Sequence, residues 1–194
     1  MSDAKNTIVL GATGSIGQQT LDVVRQHPDK LNVVGLVAYS SKDKLASASQ
    51  EFGVKNCVLV KDEPSENEAA KKVLDLIHDD NVDIVVNAMS GAVGLEASYE
   101  TLLAGKRLAL ANKESLVVGG DLIMPLAKKI KEQSNEDKLL PIDSEHGAIC
   151  QCLIGEKNTE IFKIHLTASG GPFYGKLTDD LKNITASEAL KHPT

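Results

Sequence analysis

The chain has 194 residues, of which 42% are hydrophobic and 25% charged, and its formal net charge at pH 7 is -6. This length predicts one full globular domain and part of a second. The acidic balance argues against a nucleic-acid partner, which would need a clustered basic face, and the apolar runs are far shorter than the ~20 residues of a membrane span. Three cysteines without framework spacing and no signal-peptide pattern indicate a cytoplasmic protein.

Short apolar runs alternate with amphipathic segments along the chain. The apolar runs predict strands at 7–10, 31–38, 56–60, 83–90, 106–111, 139–143 and 162–168. The amphipathic segments predict helices at 15–26 and 66–78, and near 95–104 and 121–134. Strands this apolar are typical of a parallel sheet that helices cover on both faces. The sequence therefore predicts an α/β fold with a doubly wound parallel sheet.

The first predicted strand runs into the turn GATGSIG, which has a glycine at every third position. In a Rossmann-like domain, Gly11 would allow the tight turn, Gly14 the close approach of a pyrophosphate, and Gly17 the close packing of the next helix. The free N–H groups at the start of that helix then face the anion. An ordinary strand-to-helix turn is the alternative, but the place of the triplet between the first strand and the first helix favours a dinucleotide site.

The residues after the second predicted strand indicate which nicotinamide cofactor is bound. A site that prefers NAD usually places Asp or Glu there to hold the ribose 2′-hydroxyl group. Here Ser40, Ser41 and Lys42 come first, and the first carboxylate is Asp43. Two hydroxyl donors and a cation suit a 2′-phosphate, so NADP is favoured over NAD. A polar loop that binds no ligand is the alternative.

Two more motifs follow predicted strands, at the carboxyl ends where open α/β sheets bind ligands. The small residues of 87–94 would let a cofactor lie flat against their loop. In the motif ANKES, residues 111–115, Lys113 would hold a hydroxyl or carbonyl group of a ligand while Asn112 and Glu114 orient it. The alternative is a strand-end lysine that is simply solvated.

A candidate phosphate site lies in the motif TASGGPF, residues 167–173. The hydroxyl group of Ser169 and the backbone N–H groups of Gly170 and Gly171 are donors that an anion can use. The alternative is an ordinary turn closed by Pro172.

Two carboxylates stand close together in PIDSEH, where an apolar run stops. Asp143 and Glu145 are two residues apart, so in an extended backbone their side chains leave on the same face. Such a pair repels unless a cation joins it, and oxygen ligands select a hard ion, Mg²⁺ or Mn²⁺. Ser144 would add an oxygen. The alternative is that Glu145 merely opens the next helix, where a carboxylate favours the helix dipole.

Together, GATGSIG, ANKESLV, PIDSEH and TASGGPF, in this order, resemble the N-terminal half of the 1-deoxy-D-xylulose 5-phosphate reductoisomerase family. The resemblance covers essentially all 194 residues. It implies an NADPH-dependent and divalent-metal-dependent enzyme of non-mevalonate isoprenoid biosynthesis, homodimeric in its full-length form. Such an enzyme converts the phosphorylated sugar 1-deoxy-D-xylulose 5-phosphate into 2-C-methyl-D-erythritol 4-phosphate.

The resemblance also implies roles for individual residues. The residues beside the cofactor would be Thr13, Gly14, Ser15, Ile16, Ser40, Ser41, Asn112 and Glu114. The residues that bind the substrate would be Lys113, Ser144, Glu145 and Ser169. Of these, Lys113 and Glu145 would be catalytic, and Asp143 together with Glu145 would bind the metal ion.

A division of the chain follows from the same resemblance. Residues 1–138 would form a Rossmann-like NADPH-binding domain, and residues 139–194 the beginning of a second α/β domain that binds metal and substrate. TASE, at 185–188, has the capping-box pattern of a helix start, and the sequence stops six residues later. This indicates a domain that is cut short, so we expect the chain alone to bind NADPH with little or no turnover.

This chain departs from the family pattern in one stretch. Family members often have Gly or Asn and a basic residue where this chain has Tyr39, Ser40 and Ser41. Lys42 would then replace the missing cation. Family chains also continue through a third metal carboxylate, a mobile active-site loop and a C-terminal helical domain.

Two other functions stay open. An NADP-dependent semialdehyde or acyl-phosphate reductase also uses a G-A-T-G turn, and it would need a reactive cysteine, here Cys150 or Cys152. A non-catalytic module that senses NADPH would bind the cofactor without any divalent metal ion.

Overall fold

The computed structural model of the protein describes residues 4–165 and 170–191. The chain forms two compact units, Met1–Gln151 and Cys152–Thr194. None of the helices within the described ranges combines the length and the apolar surface that crossing a bilayer requires.

The first unit is built on a sheet of six parallel strands. The strands are β1 (Lys5–Leu10), β2 (Leu31–Ala38), β3 (Asn56–Leu59), β4 (Ile84–Asn87), β5 (Arg107–Leu110) and β6 (Leu139–Pro141). Their spatial order is β3-β2-β1-β4-β5-β6, so the chain first builds outward from β1 on one side and then returns to build on the other. The point where the direction reverses, between β1 and β4, is where open α/β sheets bind their ligands. The predicted doubly wound fold is confirmed.

Helices connect the strands. They are α1 (Ser15–Gln26), α2 (Lys42–Phe52), α3 (Glu66–Ile77), α4 (Gly94–Leu103) and α5 (Glu114–Ser134). A sixth helix, α6 (Ser144–Leu153), follows the last strand. Because parallel strands can be joined only by a crossover, each connection places its helix on a face of the sheet.

The core lies on both faces of the sheet, because alternate residues of a strand point to opposite sides. Val9 belongs to one buried cluster together with Leu21 of α1. Ile8 and Leu10 belong to another, together with Ile77 of α3. All three β1 residues are inaccessible to solvent, which explains why this strand has no polar alternation.

Helix α2 is not among the elements that the sequence pattern predicts. Only Leu45 and Ala48 of its eleven residues are buried, so the apolar pattern that predicts a helix is weak. Its end is better marked than its face, because Gly53 adopts the left-handed conformation that often terminates helices.

Helix α5 begins earlier than the predicted residue 121, because the Gly119-Gly120 pair bends the helix without ending it. Gly119 has non-helical angles and marks a kink. A β-carbon at this position would lie 2.3 Å from Cδ1 of Leu95 in α4. Glycine therefore allows α4 and α5 to pack closely at the kink.

Two strand predictions need correction. The strand predicted for 139–143 ends at Pro141, because α6 already begins at Ser144. The strand predicted for 162–168 is wrong over residues 162–165, which have no regular secondary structure, and residues 166–168 lie outside the described ranges. Residues 139–141 form β6 of the first sheet, although the predicted division assigns them to the second domain. Where the domain boundary falls stays a prediction.

The second unit contains short helical elements in its described part. They are 3₁₀ turns at Asn158–Glu160, Gly171–Phe173 and Thr178–Asn183, and α7 at Ala186–Ala189. The predicted capping box is present at the start of α7: the Thr185 hydroxyl oxygen accepts from the Glu188 N–H, and the Glu188 carboxylate accepts from the Thr185 N–H.

Candidate functional site

The glycine turn joins β1 to α1 at the reversal point of the sheet. Gly11 has a positive φ of 81°, and a β-carbon there would lie 2.4 Å from the backbone oxygen of Ala88. A β-carbon at Gly17 would lie 2.3 Å from the backbone oxygen of Gly11. These two contacts support the tight-turn role of Gly11 and the packing role of Gly17. Gly14 is exposed; its N–H donates to the Gly11 oxygen at 3.0 Å, and a β-carbon there would lie 3.4 Å from that oxygen.

The start of α1 offers backbone donors to an anion. Gly14 caps this helix without a side-chain hydrogen bond, and the first turn contains no acidic residue. The N–H groups of a helix's first turn have no partner within the helix, and the helix dipole makes this end positive. Gly14 and Ser15 are exposed, whereas Thr13 and Ile16 are half-buried. The predicted pyrophosphate contacts of these four residues stay predictions.

The loop after β2 lies beside the glycine turn. The Val37 backbone oxygen accepts hydrogen bonds from the N–H groups of Gly11 and Ala12, both at 2.9 Å. Ser40 is exposed and Ser41 half-buried, and Ser41 precedes α2 without a side-chain capping bond. The Lys42 ammonium group lies 3.1 Å from the carboxylate of Asp62. Lys42, the predicted substitute for the missing cation, is therefore already part of an ion pair.

The sequence pattern does not predict a buried polar network that lies at the ends of β4 and β5. Asn87, the last residue of β4, is fully buried, and its side-chain amide donates to the Gly94 oxygen and to the Ser98 hydroxyl, both at 2.8 Å. A buried polar side chain needs such partners to offset its desolvation. The one sequence feature that could have indicated the network is an asparagine at the end of an apolar run.

Asn112 belongs to the same network. It is 1% exposed, and its side-chain N–H groups donate to the backbone oxygens of Met89 and Gly91, both at 2.8 Å. Its side-chain oxygen accepts from the Ser115 N–H at 3.0 Å. These bonds attach the loop after β4 to the start of α5. The side-chain amide of Asn112 is thus occupied inside the protein, and the cofactor role of Asn112 stays a prediction.

Lys113 and Glu114 lie at the start of α5. Lys113 caps the helix and is exposed, and Glu114 is half-buried in the first turn. The Glu114 carboxylate accepts a hydrogen bond from the Asn112 amide at 3.3 Å. A carboxylate in the first turn also favours the helix dipole. The substrate role of Lys113 and the cofactor role of Glu114 stay predictions.

The backbone expected around the two carboxylates is wrong. Asp143 does not continue an extended strand; its backbone oxygen accepts from the Gly147 N–H at 2.9 Å and so opens α6. Glu145 is already in the first turn of that helix. The argument that both side chains leave one face of a strand therefore fails, and the alternative of a helix start is correct for the backbone.

The side chains of this segment nevertheless form a polar cluster. The Asp143 carboxylate, 14% exposed, lies 2.5 Å from Nδ1 of His146. The Ser144 hydroxyl donates to the carboxylate of Glu145 at 2.7 Å. This bond holds the pKa of Glu145 below its usual value, with further lowering from its own backbone N–H and from the charges of Lys113 and His146. Lys113, after β5, and Glu145, after β6, thus lie within electrostatic reach of each other.

The donor set at this cluster suits a hard cation but is incomplete in the part of the chain that the structure describes. Two carboxylates and a hydroxyl oxygen are the ligands that Mg²⁺ and Mn²⁺ prefer. Across residues 4–165 and 170–191, no three His, Cys, Asp or Glu residues are grouped so that they could hold a metal ion. The metal role of Asp143 and Glu145, and the substrate role of Ser144, stay predictions. Ser169, the predicted phosphate ligand, lies outside the described residues.

Family models match most of the chain. The model of 1-deoxy-D-xylulose 5-phosphate reductoisomerase matches residues 7–120, and the model of the C-terminal domain of that enzyme matches residues 139–194. Proteins named 1-deoxy-D-xylulose 5-phosphate reductoisomerase are similar over nearly the whole chain. The Thermoanaerobacter sp. relative is 43% identical over 97% of this chain and 51% of its own length. The Mycolicibacterium smegmatis relative is 42% identical over 98% of this chain and 48% of its own length.

Solved structures give the same result. The Zymomonas mobilis reductoisomerase in complex with NADPH is 33% identical, with a TM-score of 0.76, over 96% of this chain and 51% of its own. DOX-P reductoisomerase in complex with magnesium is 34% identical, with a TM-score of 0.73, over 97% of this chain and 52% of its own. The chain thus spans about half the length of the relatives it matches. Because the first model alone covers more than half of the chain, the protein belongs to the 1-deoxy-D-xylulose 5-phosphate reductoisomerase family.

Proposed function

We propose that this chain binds NADPH and carries part of the metal and substrate site of a 1-deoxy-D-xylulose 5-phosphate reductoisomerase. The observation that carries the proposal is that the glycine turn and the group around Lys113 and Glu145 both follow strands of one parallel sheet, at the edge where such sheets bind ligands. Relatives solved with NADPH and with magnesium support it.

The cofactor would be held by the loops after β1 and β2. Its pyrophosphate would lie beside Thr13, Gly14, Ser15 and Ile16 and accept hydrogen bonds from the free N–H groups at the start of α1. The Gly14 N–H already donates to the Gly11 oxygen, so the close approach at Gly14 would come from its missing side chain. The hydroxyl groups of Ser40 and Ser41 would donate to the adenosine phosphate. Bound NADPH would supply the hydride that reduces an aldehyde.

The substrate would lie near Lys113 and the start of α6. The exposed ammonium group of Lys113 would bind a substrate oxygen, and the oxygens of Asp143 and Glu145 would hold Mg²⁺ or Mn²⁺. A bound ion would supply Lewis-acid polarisation of the substrate's ketone and hydroxyl oxygens during the skeletal rearrangement. The Ser144 hydroxyl lowers the pKa of Glu145, which favours the ionised form that a metal ligand needs. Ser144 would contact substrate hydroxyls, and Ser169 the substrate phosphate.

The reaction of the whole enzyme, from 1-deoxy-D-xylulose 5-phosphate to 2-C-methyl-D-erythritol 4-phosphate, is part of this proposal. We expect the 194-residue chain by itself to bind NADPH with little or no turnover, because no three His, Cys, Asp or Glu residues of its described ranges are grouped so that they could hold the metal ion. We also propose that the full-length enzyme is a homodimer in the cytoplasm.

Calorimetric titration with NADPH and with NADH, each with and without Mn²⁺, tests the cofactor part. NADPH should bind more tightly, because NADH lacks the phosphate that the serine hydroxyls would contact. Equal affinity for the two nucleotides would contradict the proposal.

Binding of Mn²⁺ tests the metal part. Asp143→Asn should weaken Mn²⁺ binding, measured by the loss of the free-ion signal in electron paramagnetic resonance. Asp137→Asn is the matched control, because it removes the same charge from an exposed residue. Asp137 lies just before β6 and pairs with Lys131. A chain that binds NADPH but shows no effect of Asp143→Asn on Mn²⁺ binding would favour the NADPH-sensing module.

A further inference from the structure

We infer that Lys61 supplies the cation that recognises the 2′-phosphate of NADPH, and that Tyr39 holds it in place. This inference rests on the proposed NADPH binding and identifies its specificity-determining residue. The loop that follows β2, residues 39–41, contains no cation of its own. A 2′-phosphate carries about two negative charges and binds well only where a cation or several donors meet it.

Lys61 lies next to this loop because of the order of the strands. β2 and β3 are parallel neighbours, and Ala38 pairs with Leu59 at their carboxyl ends. The residues that follow each strand therefore leave the sheet side by side. The Lys61 N–H donates to the backbone oxygen of Tyr39 at 2.9 Å, which connects the two loops directly.

The side chains of the two residues are also in contact. The Lys61 ammonium nitrogen lies 5.5 Å from the centre of the Tyr39 ring, within the range of a cation–π interaction. Tyr39 itself is 65% exposed. An aromatic ring restrains an ammonium group without neutralising it, whereas a carboxylate would cancel its charge. The Tyr39 ring thus positions the Lys61 ammonium group without supplying a counter-charge.

The neighbouring charges distinguish Lys61 from Lys42. Asp62 lies 3.1 Å from the ammonium group of Lys42, and Glu63 lies 2.6 Å from that of Lys72. In the ranges that the structure describes, Lys61 forms no ion pair within 4.0 Å. The two carboxylates that follow Lys61 in the sequence are therefore engaged elsewhere. An incoming phosphate would have to compete with Asp62 for Lys42, but would meet no such competitor at Lys61.

The serine hydroxyls complete the arrangement. Ser40 is exposed, and Ser41 precedes α2 without forming a side-chain capping bond. Both hydroxyl groups are available as donors on the loop that Lys61 contacts. Two neutral donors with one uncompensated cation match a phosphate monoester, and they have no advantage for the ribose hydroxyl of NADH.

The dissociation constants of NADPH and NADH for wild type and for Lys61→Ala test the inference. We expect Lys61→Ala to weaken NADPH binding about tenfold or more, the effect of one charge-assisted hydrogen bond, and to leave NADH binding unchanged. Lys61→Arg should keep the preference for NADPH. Lys55→Ala is the matched control: it removes the same charge from an exposed residue just before β3, at the opposite edge of the sheet, and should change neither constant.

The outcomes separate this inference from the proposed function. If wild type prefers NADPH and Lys61→Ala keeps that preference, or if only Lys42→Ala abolishes it, the role of Lys61 is overturned while NADPH binding stands. If wild type does not prefer NADPH, the proposed function itself fails, and the inference fails with it. Tyr39→Leu, which retains the lysine but removes the ring, should weaken NADPH binding less than Lys61→Ala does and leave NADH binding unchanged. Loss of affinity for both nucleotides would overturn the positioning role of Tyr39.

Discussion

The close contact at Gly17 allows a quantitative test of the glycine turn. A β-carbon there would lie 2.3 Å from the backbone oxygen of Gly11, about 1 Å closer than the 3.4 Å at which ordinary contact begins. Gly17→Ala should gain about 1 kcal/mol from helix propensity. The contact is with backbone, so α1 or the turn must move, and overpacking of this kind typically costs about 1–3 kcal/mol or more. We expect the cost to exceed the gain, with a net destabilisation of up to about 2 kcal/mol.

Urea unfolding of Gly17→Ala, followed by circular dichroism, measures this change. Gly120→Ala is the control, because Gly120 is also inside a helix but has no atom within 4 Å of the place that an added β-carbon would take. The same substitution there should stabilise the chain by about 0.5–1 kcal/mol. NADPH affinity should fall in Gly17→Ala and stay constant in Gly120→Ala, since only the first substitution displaces the proposed pyrophosphate donors. Equal stability changes in the two variants would refute the packing role of Gly17.

Two further predictions concern hydrogen bonds at the same edge of the sheet. Asn112→Ala removes a donor from the backbone oxygens of Met89 and Gly91, of which the second also accepts from the Gly94 N–H at 3.4 Å. The substitution should lower the free energy of unfolding by about 1–3 kcal/mol, measured in urea. Ser144→Ala should raise the pKa of Glu145, measured by an NMR titration of its carboxyl carbon, because the Ser144 hydroxyl is the main cause of the lowered value. A pKa that is lower in the folded state than in the unfolded state stabilises the folded chain at pH values above the unfolded-state pKa. This stabilisation is lost as the pH falls through the folded-state pKa, so the variant should lose it at a higher pH than wild type. An unchanged pKa in Ser144→Ala would contradict the assigned cause.

The fold was predictable because the central strands are buried on both faces. Runs such as 31–38 have no polar alternation, and this alone favours a parallel sheet over an antiparallel one. Helix α1 begins and ends at the predicted residues, 15 and 26, because its apolar positions recur at helical spacing. Helix α2 has only two buried residues, so its pattern was too weak to predict.

The candidate site was predictable in residue type but not in geometry. The sequence shows two carboxylates after an apolar run. It does not reveal that α6 begins there, with its first helical hydrogen bond from the Gly147 N–H to the Asp143 oxygen. The interactions of Asn112 join segments more than twenty residues apart in the chain. Such contacts arise from the order of strands in the sheet, which a local reading of the sequence does not supply.

The charge that each strand-end residue presents to a ligand is decided by its neighbours across the sheet. Lys42 and Lys61 each follow a strand, but Asp62 compensates only Lys42, and an uncharged ring restrains Lys61. Around Glu145 the balance is reversed, since a hydroxyl group, the residue's own backbone N–H and a nearby lysine lower the pKa of a carboxylate. One edge of one sheet can therefore present a positive group to a nucleotide phosphate and a negative group to a metal ion, because different strand ends carry the two groups. Specificity for NADPH and affinity for a divalent ion should accordingly be separable by mutation.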